Sequence, residues 1–281
     1  MTDPTSPSQE IVLETHDLTV AYDKKPVLYG IDVSIAPGQL VGIMGPNGAG
    51  KSTLIKAIMG LLEPAGGWIQ IFGESNKSQR KRVAYVPQRR EVDWDFPVTV
   101  MDVVLMGRYG HLGLFKRPGK RDRDIAMEAL EKVNMIPYAG RQISNLSGGQ
   151  QQRVFLARAL AQESDLYLMD EPFVGVDAAT ESTIIDLLQD LRSQGKTILV
   201  VHHDLPTARQ YFDSLILLNM RLVAYGPVEE VFQEELLQRA YGGRLTILSE
   251  VADATGEKSK VDLSAKRRRR SSDTVRRFWH C

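Results

Sequence analysis

The chain alternates between short apolar runs and stretches with helical spacing, and these two patterns predict its elements. Strands are predicted in the first third by five runs rich in apolar or β-branched residues: 11–20, 27–35, 40–44, 68–72 and 82–86. The first two runs predict antiparallel strands. Residues 40–44 predict a buried strand that leads into a helix over residues 52–59.

From about residue 98 to residue 143 the apolar positions recur at helical spacing. Residues 103–106 and 125–133 carry the clearest pattern, and the basic loop 116–123 separates them. We therefore predict a helical subdomain inserted at about residues 89–147.

Strands and helices alternate in the second half and predict an α/β fold. The predicted order is a strand at 166–169, a helix at 178–191, a strand at 197–201, a hairpin-like pair at 215–218 and 222–225, and helical pieces over 228–241. Beyond about Ser249 the pattern of a packed core ends.

Composition adds limits to this picture. The 281 residues are 43% hydrophobic, which is enough for a substantial core in one large domain with an inserted subdomain or in two small domains. No apolar run approaches the ~18 to 20 residues that cross a bilayer, and the first nine residues do not resemble a signal peptide. The single cysteine, Cys281, excludes an internal disulfide framework. These features predict a location in the cytosol.

Charge is distributed unevenly although the formal net charge is zero. Residues 250–281 carry nine Lys and Arg against five Asp and Glu, a net of +4, which leaves −4 for residues 1–249. The body is therefore not expected to bind nucleic acid. Residues 1–9 and 249–281 are predicted to be disordered, with lipid or partner binding left open for the basic run 266–270.

One segment fits the phosphate-binding pattern G-x-x-x-x-G-K-[ST] at every defined position, between a predicted strand and a predicted helix. It consists of Gly45, Pro46, Asn47, Gly48, Ala49, Gly50, Lys51 and Ser52, followed by Thr53. Glycines allow backbone N–H groups to surround an anion at the start of the helix, Lys51 can reach the β- and γ-phosphates, and Ser52 can ligate Mg²⁺. The alternative is a glycine-rich turn before an ordinary helix.

Two further segments offer polar groups that suit a nucleotide. Asp170 and Glu171 follow a predicted strand, where Asp170 can hold Mg²⁺ and Glu171 can polarise a water; the alternative is a solvated turn. Ser147 and Gln150 have the spacing of a capping box at a helix start. The glycine pair between them, Gly148 and Gly149, favours a second anion-binding helix end over a plain capped helix.

A third polar segment, 202–204, follows the strand at 197–201. His202 and His203 stand beside Asp204, but adjacent residues of a strand point in opposite directions. A metal site is therefore not expected there.

With these segments in this order, residues 10–248 resemble the nucleotide-binding subunit of an ABC transporter. The resemblance implies a P-loop NTPase core of the RecA-like kind with an antiparallel β subdomain and the inserted helical subdomain, acting as an ATPase with ATP and Mg²⁺. It implies these roles: Tyr22 stacks on adenine, Gln88 links Mg²⁺ and water to the helical subdomain, Glu171 is the general base, Asp177 is the D-loop residue and His203 is the switch histidine. Two departures stand out, because Val174-Gly175-Val176 precedes Asp177 in place of Ser-Ala-Leu and His202 replaces the usual Thr or Ser.

The resemblance also implies partners. Each copy offers two anion-binding helix ends, at Lys51–Ser52 and Ser147–Gly149, which close under two-fold symmetry when a second copy binds the γ-phosphate. The dimer would drive integral membrane permease subunits from the cytoplasmic face of the membrane. The stretch 88–97, with Trp94 and Phe96, is the candidate contact for the permease.

A finer resemblance links the chain to the ATPases of manganese, zinc and iron importers, which are fed by an extracytoplasmic substrate-binding protein. The segments that carry it are 93–100, 106–110, 170–177 and 200–205. Manganese is the first expectation and zinc or iron the next, with siderophore or cobalamin import as the main alternative. Soluble DNA-repair ABC ATPases fit poorly because only 94 residues, without heptads, separate Lys51 from Leu146. The sequence also does not fit a translation-associated ABC protein, which carries two cassettes in one chain. A P-loop kinase fits the sequence no better.

Overall fold

The computed structural model describes residues 11–94, 96–112 and 116–242, which form two β-sheets and eight α-helices. The strands are β1 (Leu13–Tyr22), β2 (Lys25–Ile35), β3 (Leu40–Met44), β4 (Gly66–Ile71), β5 (Glu74–Ser75), β6 (Val83–Val86), β7 (Leu166–Asp170), β8 (Thr197–Val201), β9 (Ser214–Asn219) and β10 (Arg221–Pro227). The helices are α1 (Lys51–Ile58), α2 (Val100–Met106), α3 (Lys120–Lys132), α4 (Gly148–Ala161), α5 (Ala178–Ser193), α6 (Leu205–Tyr211), α7 (Val228–Val231) and α8 (Glu234–Tyr241). Four 3₁₀ turns lie at Arg80–Arg82, Arg89–Glu91, Ile136–Tyr138 and Ile143–Asn145.

The larger sheet has the strand order β10-β9-β3-β8-β7-β6, and its strands are parallel except for β10 at the edge. Strands β3, β7 and β8 are buried at every position, as expected for parallel strands that are covered on both faces. The carboxyl ends of the parallel strands therefore meet at one edge. The hairpin predicted at the end of this sheet is confirmed as β9 and β10.

The smaller sheet is antiparallel with the order β2-β1-β4-β5, so the predicted antiparallel strands are confirmed. Its strand β4 begins at Gly66, two residues before the predicted start. A glycine is required at position 67, because a Cβ there would lie 2.2 Å from the carbonyl oxygen of His16.

Helix α1 lies between the two sheets. Successive side chains of β3 point to opposite faces of the larger sheet. Val41 and Ile43 therefore join a core with the antiparallel sheet and α1, whereas Leu40 and Met44 face the other helices. The structure thus confirms an α/β core with an antiparallel β subdomain.

Helices α2 and α3 form the predicted helical insertion, and both pack on α4. Close packing needs Gly107 at the end of α2, because a Cβ there would lie 2.3 Å from the carbonyl oxygen of Arg158. The insertion thus packs on α4, which starts after the predicted boundary at residue 147. The domain boundaries remain a prediction. Asp95, the terminal segments 1–9 and 249–281, and the last residues of the predicted ATPase domain lie outside the described residues.

No helix in the described part of the chain is both long and apolar enough to cross a membrane.

Candidate nucleotide-binding site

The loop between β3 and α1 is shaped by its glycines. At Gly45, with φ of 149°, a Cβ would lie 2.0 Å from the carbonyl oxygen of Leu218, and at Gly50, with φ of 94°, it would lie 2.4 Å from the Leu28 side chain. Gly48 has φ of 82° and open space around it. The first two glycines are therefore required by close contacts, whereas the third is favoured by its backbone conformation.

Lys51 begins α1 and folds back over this loop. Its Nζ donates hydrogen bonds to the carbonyl oxygens of Gly45 at 2.8 Å and Pro46 at 3.0 Å. Burial lowers the pKa of Lys51, and the nearby carboxylates of Glu171 and Asp170 oppose this shift. The ammonium group is thus held beside the loop, where an anionic ligand would compensate for its loss of water.

Asp170 is the last residue of β7 and is completely buried. Neither carboxylate oxygen has a hydrogen-bond partner among the described residues. Burial raises the pKa of Asp170; the Ser52 hydroxyl opposes this rise, although it makes no hydrogen bond of ordinary geometry to the carboxylate. A buried carboxylate without donors, close to a hydroxyl, suits an oxygen-preferring divalent cation such as Mg²⁺.

Glu171 and Gln88 contact each other at the ends of neighbouring strands. Glu171 adopts a left-handed backbone conformation with φ of 52°. Gln88, which follows β6 and is buried, donates a hydrogen bond from Nε2 to Oε2 of Glu171. Its Oε1 accepts a hydrogen bond of 2.6 Å from Nε of Arg90. The glutamine amide is therefore held between a cation and a carboxylate.

The two adjacent histidines have different environments. His203 is exposed just beyond β8, whereas His202 is buried against the ring of Phe173, with 5.4 Å between the ring centroids. A hydrogen bond of 2.8 Å joins His202 Nε2 to the Thr207 hydroxyl. Burial, with a smaller contribution from His203, lowers the pKa of His202 to about 4. His202 is thus a neutral packing residue at neutral pH.

The predicted capping box at the start of α4 is confirmed. The backbone N–H of Ser147 donates to Gln150 Oε1 at 2.9 Å, and the backbone N–H of Gln150 donates to the Ser147 hydroxyl at 3.4 Å. Beside this end, Arg89 donates to Gln151 Oε1 at 3.1 Å, and a Cβ at Gly148 would lie 2.8 Å from its guanidinium carbon.

Asp177 caps α5 by accepting a hydrogen bond of 2.8 Å from the backbone N–H of Thr180. This interaction lowers the pKa of Asp177. Asp177 is therefore ionised at the start of α5, where a negative charge is favourable. The segment 175–176 just before it lies beside Gly149 at the start of α4.

Comparison with known proteins identifies the family. The ABC transporter family profile matches residues 28–174. A manganese transport system ATP-binding protein of Bacillus subtilis is 61% identical over 246 residues, 88% of this chain and 98% of the relative. The zinc transport system ATP-binding protein TroB of Treponema pallidum is 61% identical over 83% of this chain and 88% of the relative. The chain belongs to the ABC transporter family.

Solved ABC transporter structures share the fold of this ATP-binding subunit. An inward-facing transporter assigned to the metal-chelate type is 30% identical, with a TM-score of 0.73 over 82% of this chain and 88% of that one. A dimeric ATP-binding cassette in a post-hydrolysis state, bound to ADP and Pi, is 29% identical, with a TM-score of 0.69 over 77% of this chain and 98% of that one. As a member of this family, the chain is an ATP-binding ATPase.

In this ABC ATPase, four neighbouring parallel strands bring most of the predicted residues to one edge of the sheet. The phosphate-binding loop follows β3, Gln88 follows β6, Asp170 and Glu171 end β7, and His203 follows β8. Tyr22 lies at the end of β1 with 42% of its surface exposed.

Ser147, Gly148, Gly149 and Gln150 form the start of α4, and Gly149 lies beside the segment 175–176. Sequence reasoning missed Arg89 and Arg90, whose only signal was a basic pair directly after Gln88.

Proposed function

We propose that this ABC ATPase works as a dimer and powers a permease that imports divalent metal ions, manganese first and zinc or iron next. The observation that carries the proposal is 61% identity to relatives named for manganese and for zinc transport, over most of their lengths. A system of this kind also includes an extracytoplasmic substrate-binding protein, and the chain would act from the cytoplasmic face of the membrane.

The geometry supports a division of labour around ATP. The backbone of residues 45–53 and Lys51 bind the phosphates, and Tyr22 stacks on adenine. Glu171 accepts the proton of the attacking water, and His203 contacts the γ-phosphate. Ser52, Gln88 and Asp170 hold Mg²⁺, which neutralises phosphate charge when bound.

The dimer proposal rests on the two separate helix ends. Because Ser147 to Gln150 start α4 whereas the phosphate-binding loop starts α1, they offer a second helix end that suits the γ-phosphate bound by a second copy, with Asp177 at the same interface. The dimeric relative bound to ADP and Pi supports this arrangement. Removal of the γ-phosphate would then release the two copies.

For the permease we propose an apolar pocket of about 240 Å³ as the contact surface. Trp94 and Phe96 line it, together with Met106 of α2 and Phe155 of α4. Phe96 is 58% exposed, which is unusual for an aromatic side chain and suits a partner surface.

Substitution of the proposed base tests the catalytic assignment. Glu171→Gln should retain ATP binding, lose at least about a hundredfold in turnover and favour the ATP-bound dimer, because the amide cannot accept a proton. Turnover by phosphate release and dimer formation by light scattering are the measurements, with the exposed Glu235→Gln as a matched control. Unchanged turnover would remove Glu171 from this role.

Metal contents of cells test the transport assignment. Cells that lack the chain should lose manganese uptake first, or zinc or iron uptake, and the wild-type gene but not Glu171→Gln should restore it. Uptake of radiolabelled metals and total cellular metal by mass spectrometry are the measurements. A loss of siderophore or cobalamin uptake with normal metal-ion uptake would instead favour the metal-chelate type.

A further inference from the structure

A chain of three side chains runs from the surface to the proposed general base. Arg90 donates a hydrogen bond of 2.6 Å to Gln88 Oε1, and Gln88 donates from Nε2 to Glu171. The 3₁₀ turn Arg89–Glu91 directly after Gln88 places the guanidinium group back over the glutamine.

The chemistry of the two neighbours fixes which end of the Gln88 amide faces which residue. A guanidinium group can only donate hydrogen bonds, and an ionised carboxylate can only accept them. The amide oxygen must therefore face Arg90, and the amide nitrogen must face Glu171. A rotated amide would place two donors together and two acceptors together.

This orientation conflicts with the role proposed for Gln88 at the metal, because Mg²⁺ accepts oxygen ligands and not an amide nitrogen. The oxygen that would ligate the metal is already occupied by a cation. Since two cations cannot share it favourably, Gln88 has to leave Arg90 before it can ligate the metal.

Arg90 is well suited to hold Gln88 because its side chain makes no other hydrogen bond or ion pair within the described ranges. Its neighbour Arg89 has a different partner, Gln151 on α4. The basic pair thus divides between two elements: Arg89 contacts the helix that begins at Gly148, and Arg90 contacts the nucleotide site.

We propose that Arg90 is a positioning residue that holds the Gln88 amide oxygen away from the metal and its nitrogen on Glu171. Binding of the metal with ATP must break the contact between Arg90 and Gln88. The contact therefore reduces the gain in nucleotide affinity that Mg²⁺ provides. The inference rests on the proposed function of Gln88 as a metal ligand.

The test measures how much Mg²⁺ improves nucleotide binding. The affinity of the purified protein for a fluorescent ATP analogue is measured in EDTA and at saturating Mg²⁺. The dissociation constant in EDTA is divided by the dissociation constant in Mg²⁺, and this ratio is compared between variants. Loss of a hydrogen bond to a charged group should raise this ratio by at least about tenfold in Arg90→Ala. Arg90→Lys, which keeps a cation and a donor, should lie nearer to the wild type.

Two controls complete the experiment. Arg239→Ala removes an exposed arginine of α8 and should leave the ratio unchanged. Gln88→Ala should lower the ratio, and the double variant should match Gln88→Ala, because Arg90 acts only through the glutamine.

The outcomes separate the two proposals. A lowered ratio in Gln88→Ala without any rise in Arg90→Ala overturns the role of Arg90 alone. An unchanged ratio in Gln88→Ala overturns Gln88 as a metal ligand and this inference with it. A rise in Arg90→Ala that persists in the double variant also overturns the inference, because Arg90 would then act without Gln88.

Discussion

Asp170 and His202 show how burial sets the charge of a residue at the end of a buried strand. Each lies at the same edge of the larger sheet, and each is almost fully inaccessible to water. Burial disfavours the charged form in both cases, so it raises the pKa of the Asp170 carboxyl and lowers the pKa of the His202 imidazole. A cation bound beside Asp170 would favour its charged carboxylate and so lower its pKa, whereas it would not favour a charged His202.

Replacement of Asp170 by its neutral isostere should separate stability from metal binding. The folded-state pKa lies above the ordinary 3.8, so the metal-free protein loses stability as the pH rises above that value. Asp170→Asn should therefore melt higher at pH 7 without metal, by roughly 2 to 4 °C for each kcal/mol gained. It should also lose the Mg²⁺-dependent gain in ATP affinity.

Thermal melting in EDTA and nucleotide titration with and without Mg²⁺ are the measurements for Asp170→Asn. Asp186→Asn, on α5 and away from the site, serves as the control. A variant that melts lower than the wild type in EDTA would contradict the assignment of Asp170 as a destabilising buried charge.

His202 should give the protein a pH-dependent stability. The folded-state pKa of about 4 lies below the ordinary 6.5, so only the unfolded chain takes up a proton between these values. Stability should fall as the pH falls below 6.5, by about 1.4 kcal/mol for each pH unit. Between pH 7.5 and 5.5 urea unfolding should show a loss of about 1.4 kcal/mol in total in the wild type, because the full slope is reached only below pH 6.5, and a smaller loss in His202→Phe. Parallel slopes would mean that His202 is not the responsible group.

At the level of elements, α4 connects the helical insertion to the proposed dimer interface. Its N-terminus presents the capping box of Ser147 and Gln150, and its apolar side chains pack under α2 and α3. A movement of the insertion would therefore be transmitted to the helix end proposed to bind the γ-phosphate.

Ser147→Asp should distinguish the structural role of this helix end from its ligand role. Aspartate is as good an N-cap as serine and interacts favourably with the helix dipole, so the melting temperature should stay the same or rise. Its negative charge should nevertheless repel the γ-phosphate and abolish the ATP-dependent dimer.

Light scattering with Glu171→Gln as background measures the dimer, and Ser147→Ala is the companion variant. Loss of the cap in Ser147→Ala should cost about 1 kcal/mol of stability. Dimer formation by Ser147→Asp equal to that of the background would show that no anion binds at this helix end.

For the whole molecule, the described residues already contain both sheets and every residue proposed for ATP. The last described helix, α8, contributes buried side chains from Leu237 and Ala240. The described residues up to 242 therefore hold both hydrophobic core clusters, and the basic run 266–270 lies outside the described residues.

Deletion of residues 250–281 should leave ATP hydrolysis within about twofold of the full-length value, because no proposed site residue is removed. Deletion from residue 234 onward is the matched control; it removes α8 and should lower the melting temperature clearly, because Leu237 and Ala240 leave the core. Loss of activity in the shorter deletion would show that the tail contributes to the fold or the site.

The local patterns of the sequence were sufficient for every strand except the two-residue β5, and for the capping box at Ser147 and the phosphate-binding loop. Strand β3 is apolar except at Gly42, and the loop needs glycines because their backbone conformations and contacts exclude a Cβ. Such features depend on neighbours a few residues away, which is why periodicity and motif spacing predict them. The start of β4 was less predictable, since the requirement for Gly67 comes from a distant strand.

The sequence alone determined the family, the nucleotide that the protein uses and the residue types of the site. Only the tertiary structure decided the states of those residues. Among the described residues Asp170 lacks hydrogen-bond donors, His202 is neutral in the core, and Gln88 turns its oxygen to Arg90 and its nitrogen to Glu171. These states arise because strands far apart in the sequence meet at one sheet edge and exclude water there. Burial and cross-strand contacts are properties of the packed molecule, and no local pattern encodes them.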